Sequence, residues 1–227
     1  MATNLLLLHA ALGSNAQYEP LKKELASSFN LFDLNFSGHG GQTFDGDFSM
    51  QKFAQETLAF IQSNKLGPVD IFGYSMGGYV ALQLAKDAPD AINRIITLGT
   101  KFDWTPESAA KEVKLLNPEK IEEKVPRFAQ YLNQLHSPND WKIVVEKTAA
   151  MMLSLGNGAA LQAGDFAQIT HEVHLYLGSE DHMVSVEETE QVQSWLTSAN
   201  FTTIDGFKHQ IEKVDVKQLA GLISSIL

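Results

Sequence analysis

The 227-residue chain contains no cysteine. Disulfides and thiolate metal sites are thereby excluded, and a reducing compartment such as the cytoplasm suits the composition. Long apolar runs are also missing. No stretch approaches the roughly 18 residues of a membrane span. Leu5–Leu8 is strand-length with no Lys or Arg before it, a poor signal peptide. Basic residues are scarce: 17 Lys and Arg against 27 Asp and Glu give a formal net charge of −10. That balance argues against nucleic acid and anionic lipid as partners. No low-complexity segment and no fixed-period repeat is present. What is there, 44% hydrophobic and 19% charged residues, fits a globular protein with a sizeable core.

The chain is organised around Val69–Ala85. An apolar, β-prone run, Val69 to Phe72, leads into Gly73-x-Ser75-x-Gly77. A helical pattern follows, with Val80, Ala81, Leu84 and Ala85 on one face. The glycine–serine triplet alone is a weak signal; the strand before it and the helix after it carry the weight. A strand reversing into a helix so quickly forces its middle residue into a strained conformation, and flanking glycines remove the Cβ clashes. Ser75 is then presented at a strand's carboxyl end, with a helix N-terminus aimed at it.

In chain order, Asn4–Leu8 reads as a buried strand, followed by the small-residue loop His9–Ser14. Tyr18–Ser28 has helical spacing, Leu31–Phe36 reads as a strand, and Ser37–Gly41 is a tight turn. Ser49 is the expected N-cap of a helix through Phe53, Thr57, Phe60 and Ile61. Ile92–Leu98 is the strand after the serine helix. Nearly continuous apolar strands alternating with helices predict an α/β fold, a mostly parallel sheet with helices on both faces. From Thr105 to about Ala163 there are helical signals and no strand. Thr105-Pro106, Asn117-Pro118 and Ser137-Pro138 each read as an N-cap with proline at the first helical position. Sheet alternation resumes at Val173–Leu177, a shorter strand follows at Phe201–Ile204, and Val214–Leu227 closes as a helix. The expected organisation is a core of residues 1–104 and 164–227, with a helical cap, 105–163, inserted after Ile92–Leu98. The insertion leaves a strand's carboxyl end, where open α/β sheets bind ligands, so a lid over Ser75 is expected.

A serine hydroxyl needs a base to take its proton, and the base needs a third group to fix its tautomer. His209, on the loop after the last strand, is the expected base. Asp181, directly after Val173–Leu177, is the expected orienting carboxylate, with Glu180 as runner-up. Met76 N–H, at the helix N-terminus, is one oxyanion donor. His39 reads as a turn residue rather than a catalyst. His171 and His174, three apart along a strand, fall on opposite faces and do not share a metal. His182 reads as a surface residue. His136 sits at a cap-helix end, where a cation suits the dipole. Met151, Met152, Phe128, Tyr131 and Trp141 are candidates for an apolar acyl pocket or for core.

Gly73-Tyr74-Ser75-Met76-Gly77-Gly78, with Gly178-x-x-Asp181 and His209 beyond it, resembles the α/β-hydrolase superfamily over essentially the whole length. The motifs match its nucleophile elbow, acid turn and histidine loop, in the order Ser, Asp, His. The resemblance implies a second oxyanion donor at Ala11, after a His-Gly pair that here is His9-Ala10. Asn35–Gly40 resembles the family's Asp-x-x-Gly-x-Gly turn, with Asn35 in place of Asp. The expected function is a serine hydrolase cleaving a small ester, thioester or amide with an apolar acyl group through an acyl-enzyme on Ser75, with no cofactor and no metal. Two alternatives stand beside it. One is a lyase or C–C bond hydrolase using the same triad. The other is a non-catalytic small-molecule receptor on this scaffold. Ser75 in place of Asp argues against the haloalkane and epoxide branches.

Overall fold

The computed structural model describes residues 3–227. Its frame is β1 (Thr3–Leu8), α1 (Glu19–Leu25), β2 (Phe29–Leu34), α2 (Met50–Ser63), β3 (Val69–Tyr74), α3 (Met76–Asp87) and β4 (Ile92–Leu98). Five helices follow: α4 (Pro106–Val113), α5 (Pro118–Lys124), α6 (Pro126–His136), α7 (Trp141–Ser154) and α8 (Ala163–Phe166). The chain then returns through β5 (Glu172–Glu180), α9 (Val186–Trp195), β6 (Ala199–Lys208) and α10 (Val216–Ile226). The six strands form one sheet in the order β2-β1-β3-β4-β5-β6. Every neighbouring pair is parallel.

The leucine run of β1 shows why the sheet is covered twice. Successive side chains of a strand point to opposite faces. Leu6 and Leu8 join Phe53 and Ile61 of α2 and Val80 and Leu84 of α3 in one core. Leu5 and Leu7 join Leu21 and Leu25 of α1 and Leu219 and Ile223 of α10 in the other. A strand apolar on both faces is stable only in the middle of such a sandwich.

The helical insertion lies between β4 and β5 and has its own small core of Ile121, Ala129, Leu132, Trp141 and Val145. Two of the three expected starts hold. Thr105 Oγ1 accepts from Ser108 N–H, and Asn117 Oδ1 accepts from Lys120 N–H, each before a proline. The third does not. Ser137 and Pro138 lie in the connector, and α7 starts at Trp141, capped by Asp140, whose Oδ1 accepts from Lys142 N–H. Asn139 Nδ2 donates to the carbonyls of Gly38 and Gln42, tying the connector to the turn beside β2. Those bonds keep residues 137–139 out of the helix. The last strand is also longer than its apolar signal: β6 extends past Phe201–Ile204 at both ends, because it is a sheet edge held by pairing with β5 and alternates little.

Candidate active site

The carboxyl edge of the sheet gathers the predicted residues because each follows a strand. Ser75 follows β3, Asp181 follows β5 and His209 follows β6, while the loop from His9 to Leu12 follows β1. The chain turns to opposite sides of β1 at β2 and β3, so Ser75 lies at the switch point where such sheets open a crevice.

Ser75 has φ 52° and ψ −115°, a conformation rare for any residue with a side chain. Three bonds hold it there. Its N–H donates to Leu98 O at 2.8 Å, and its carbonyl accepts from Gly78 N–H at 3.1 Å and from Thr100 Oγ1 at 3.0 Å. The flanking glycines are required by space: a Cβ on Gly73 would strike the Gly77–Gly78 backbone, and one on Gly77 would strike the Leu8 carbonyl.

The three residues predicted to act together stand in one line. Ser75 Oγ is 3.3 Å from His209 Nε2, and His209 Nδ1 is 2.7 Å from Asp181 Oδ2. Asp181 Oδ1 also accepts from the N–H groups of Met183 at 2.8 Å and Val184 at 3.1 Å. A carboxylate with three N–H donors is fixed in place, so Nδ1 of His209 carries the proton and Nε2 is left to accept from serine. The Asp181 side chain is 1% exposed and that of His209 11%. Glu180, the runner-up, is out of this line: it pairs with Lys208 at 3.4 Å at the surface.

Met76 begins α3, and Ala11 stands in the cavity wall beside Ser75. Neither backbone N–H donates to another described residue. The loop carrying Ala11 is braced by Tyr18 Oη, which donates to Leu8 O at 2.6 Å, and by a Gly13 N–H bond to Ala10 O at 3.1 Å. The methyl of Ala10 is absorbed by the α1–α10 core.

The cavity over Ser75 has two compartments. The inner one is about 50 Å³ and is walled by Met76, Met151, Met152 and Trp104, with Lys101 and Glu112 as its charged members. The outer one is about 300 Å³ and opens between the His209–Glu212 loop and exposed Leu115, Phe128 and Tyr131. Both methionines thus line the cavity, as do Phe128 and Tyr131, whereas Trp141 is buried in the insertion's own core.

The sequence reading did not find two residues that support the line. Tyr74 Oη donates to the His209 carbonyl at 2.6 Å, and Thr100 holds the Ser75 carbonyl. Burial raises the Tyr74 phenol above its usual range, so it remains a donor. Position carries the missing signal: Thr100 and Lys101 leave β4 at the same edge that presents Ser75.

One expectation is corrected. His136 is fully buried, and burial pulls it down to about 4, so it is neutral and not a dipole-pairing cation. Its Nδ1 accepts from Gly40 N–H at 3.1 Å and its Nε2 donates to Leu12 O at 3.2 Å. His39 packs against it and against His9, with ring centroids 5.6 and 5.1 Å away. Asn35, in place of Asp, holds the turn by accepting from Asn15 N–H and donating to Gly40 O. His171 and His174 bond separately, to Pro89 O and Glu172, and His182 is exposed.

An all-parallel sheet with an elbow serine, a histidine and a carboxylate at its carboxyl edge defines a class of hydrolases. The alpha/beta hydrolase fold family matches residues 3–131, more than half of the chain. This chain belongs to that family and is an enzyme of the α/β-hydrolase class. It is 21% identical to the pimeloyl-[acyl-carrier protein] methyl ester esterase of Aliivibrio salmonicida, over 91% of this chain and 85% of that enzyme. Among solved structures, a malate-bound thermophilic esterase from Thermogutta terrifontis superposes with a TM-score of 0.79 at 17% identity, covering 100% of this chain and 89% of its own. The 2-hydroxy-6-oxo-6-phenylhexa-2,4-dienoate hydrolase from Rhodococcus sp. strain RHA1 superposes with a TM-score of 0.80 at 16% identity, covering 99% of this chain and 90% of its own. Among the described residues no helix is long and apolar enough to cross a membrane.

Proposed function

We propose that this protein is a serine hydrolase that cleaves a small ester, thioester or amide through an acyl-enzyme on Ser75. The observation that carries the reading is the unbroken line from Ser75 Oγ through His209 to Asp181 beneath an apolar cavity. Ser75 attacks the carbonyl carbon. His209 Nε2 takes the serine proton and returns it to the leaving group, while Asp181 holds the ring and balances the imidazolium. The free N–H groups of Ala11 and Met76 receive the developing oxyanion. A water then repeats the attack with the same base.

The two compartments divide the substrate. The leaving group must sit where His209 can protonate it, and the outer groove runs along the His209–Glu212 loop to solvent. The acyl group therefore enters the inner cavity, among methionines of α3 and α7. Helices of residues 105–163 act as the cap that keeps water from this chemistry. That a similar protein is named as a methyl ester esterase supports an ester as substrate. The lack of cysteine suits a cytoplasmic site of action.

A fluorophosphonate probe should label the wild-type protein and not Ser75→Ala. Hydrolysis of p-nitrophenyl esters should fall on the order of 10⁶ in kcat in that variant, with the melting temperature nearly unchanged, because no cavity opens. Retention of more than about a tenth of wild-type turnover, in a preparation free of wild type, would exclude Ser75 as the nucleophile.

A further inference from the structure

Apart from Ser75, His209 and Tyr79, whose hydroxyl accepts from Leu161 N–H, the polar lining of the inner cavity is one pair of charges. Lys101 follows β4, and Glu112 comes from α4 across the cavity wall. Their side chains are 18% and 14% exposed, and their tips are 3.8 Å apart. That is beyond a hydrogen bond. Neither tip makes a hydrogen bond to another described residue. The nearest other carboxylate to Lys101 is Glu188, at 4.0 Å. Glu188 is already served by the N–H groups of Phe102, Asp103 and Ser185. An ammonium with three donors and a carboxylate with free lone pairs thus face the acyl cavity. Both tips keep access to solvent, and Lys101 lies over the Trp104 ring at 5.8 Å. A ligand that fills the cavity displaces that water, so a ligand atom that bonds to both tips replaces what they lose, and an apolar one does not.

The charges decide what kind of ligand atom. Two carboxylates stand around one ammonium, so a third anion would be repelled. A methyl group would desolvate the pair and offer nothing back. A hydroxyl accepts from the ammonium while donating to the carboxylate, and a carboxamide does the same through its two ends. The volume of about 50 Å³ holds about three to five water-sized positions, so the acyl group is short. We propose that Lys101 and Glu112 form a polar subsite that selects a short acyl group bearing a neutral hydroxyl or carboxamide. This rests on the acyl-enzyme reading above.

The test is kcat/KM, by methanol release, for methyl esters whose acyl chains of two to four carbons end in methyl, hydroxyl, carboxamide or carboxylate. In wild type a hydroxyl or carboxamide ester should exceed its methyl-ended counterpart by roughly tenfold at one chain length, as expected for hydrogen bonds to charged partners. The carboxylate ester should be the poorest. The ratio of polar to methyl-ended substrate should fall toward one in Lys101→Met and, independently, in Glu112→Leu. Melting temperatures identify a variant that fails to fold, and the wild-type ratio stands without either. A wild-type ratio of one or below at every length, a ratio kept in both folded variants, or a preference for carboxylate would overturn the subsite. Undiminished hydrolysis by Ser75→Ala would instead overturn the acyl-enzyme reading. Ser75-dependent hydrolysis without polar preference would overturn the subsite alone.

Discussion

The strain at Ser75 is local, and so are its supports. A residue held at φ 52° costs about 1–3 kcal/mol and persists because its neighbours over-determine it, here through Leu98, Gly78 and Thr100. The histidine is held in the same way from two sides, by Asp181 at Nδ1 and by Tyr74 at its carbonyl. The two supports predict different losses. Asp181→Asn keeps the ring in place but lets it take the wrong tautomer, so kcat should fall roughly 10⁴-fold. Glu180→Gln removes only an exposed pair with Lys208 and should be mild, since such pairs contribute about 0–1 kcal/mol. Steady-state kinetics on both variants decide the assignment, and a larger loss at Glu180 would make it the orienting carboxylate. Tyr74→Phe removes one hydrogen bond to the backbone of His209. It should lower kcat about tenfold with KM little moved, the mark of a positioning residue. An equal loss in both parameters would place Tyr74 in substrate binding.

At the scale of elements, what was legible followed from burial. The interior strands carry apolar residues on both faces, so β1, β3 and β4 were readable to within about a residue or two. The places of Ser75 and Asp181 were legible for the same reason, each following an interior strand, whereas His209 was placed from the short apolar stretch of the edge strand β6. Where burial weakens, the reading fails. β2 lies two residues earlier than Leu31–Phe36, and β6 outruns its apolar stretch. Helix α9 announces itself mainly by the Ser185–Glu188 capping box, and α8 has four residues. Tyr74, Thr100 and the Lys101–Glu112 pair act through contacts that cross the sheet edge, which periodicity does not encode. The insertion supplies the prediction at this scale. Each methylene buried in the inner cavity adds about 0.8 kcal/mol, close to fourfold in kcat/KM. With about 50 Å³ to fill, activity should peak at acyl chains of roughly two to four carbons and then drop. Met151 is buried and lines only the inner compartment, so Met151→Ala should move the peak toward longer chains. Met152 lines both compartments, so Met152→Ala should also relax the choice of leaving group. A kcat/KM series from acetyl to decanoyl on all three proteins tests this. A flat series would mean that the insertion does not bound the acyl site.

Across the whole molecule, three buried histidines couple stability to pH. His9, at the end of β1, donates through Nδ1 to Ala10 O and accepts at Nε2 from Phe36 N–H. His136, on α6, has one donor and one acceptor bond in the same fashion, to Leu12 and Gly40. His39 lies between them, its Nδ1 donating to Ser37 O and its Nε2 buried without a partner. Each pattern fits the neutral ring. Burial pulls His9 and His136 down to about 4 and His39 well below its ordinary value. The hydrogen bond to the Ala10 carbonyl opposes at His9, as does Asp33 after it, and the Ser37 carbonyl opposes at His39; the neighbouring histidines push both further down, and burial outweighs the opposition. Above pH 6.5 the rings are neutral folded and unfolded, and they contribute nothing to pH dependence. Below it the unfolded chain takes up protons that the folded protein refuses, so stability falls as pH falls, until the folded His9 and His136 titrate near 4. His9 alone should lose roughly 3 kcal/mol over that window, and three such rings give a limiting slope of about 4 kcal/mol per pH unit. Against a typical total of about 5–15 kcal/mol, that is enough to unfold the protein. The window lies above that of Asp165, which the Gln162 N–H holds below the usual carboxylate range. Urea unfolding at pH 7, 6, 5 and 4.5 should therefore show a midpoint that is already falling between pH 6 and 5. His136→Gln keeps one donor and one acceptor while removing a titrating ring, so its slope should be shallower. A midpoint constant from pH 7 to 4.5 in wild type would mean that these histidines already carry protons in the folded protein.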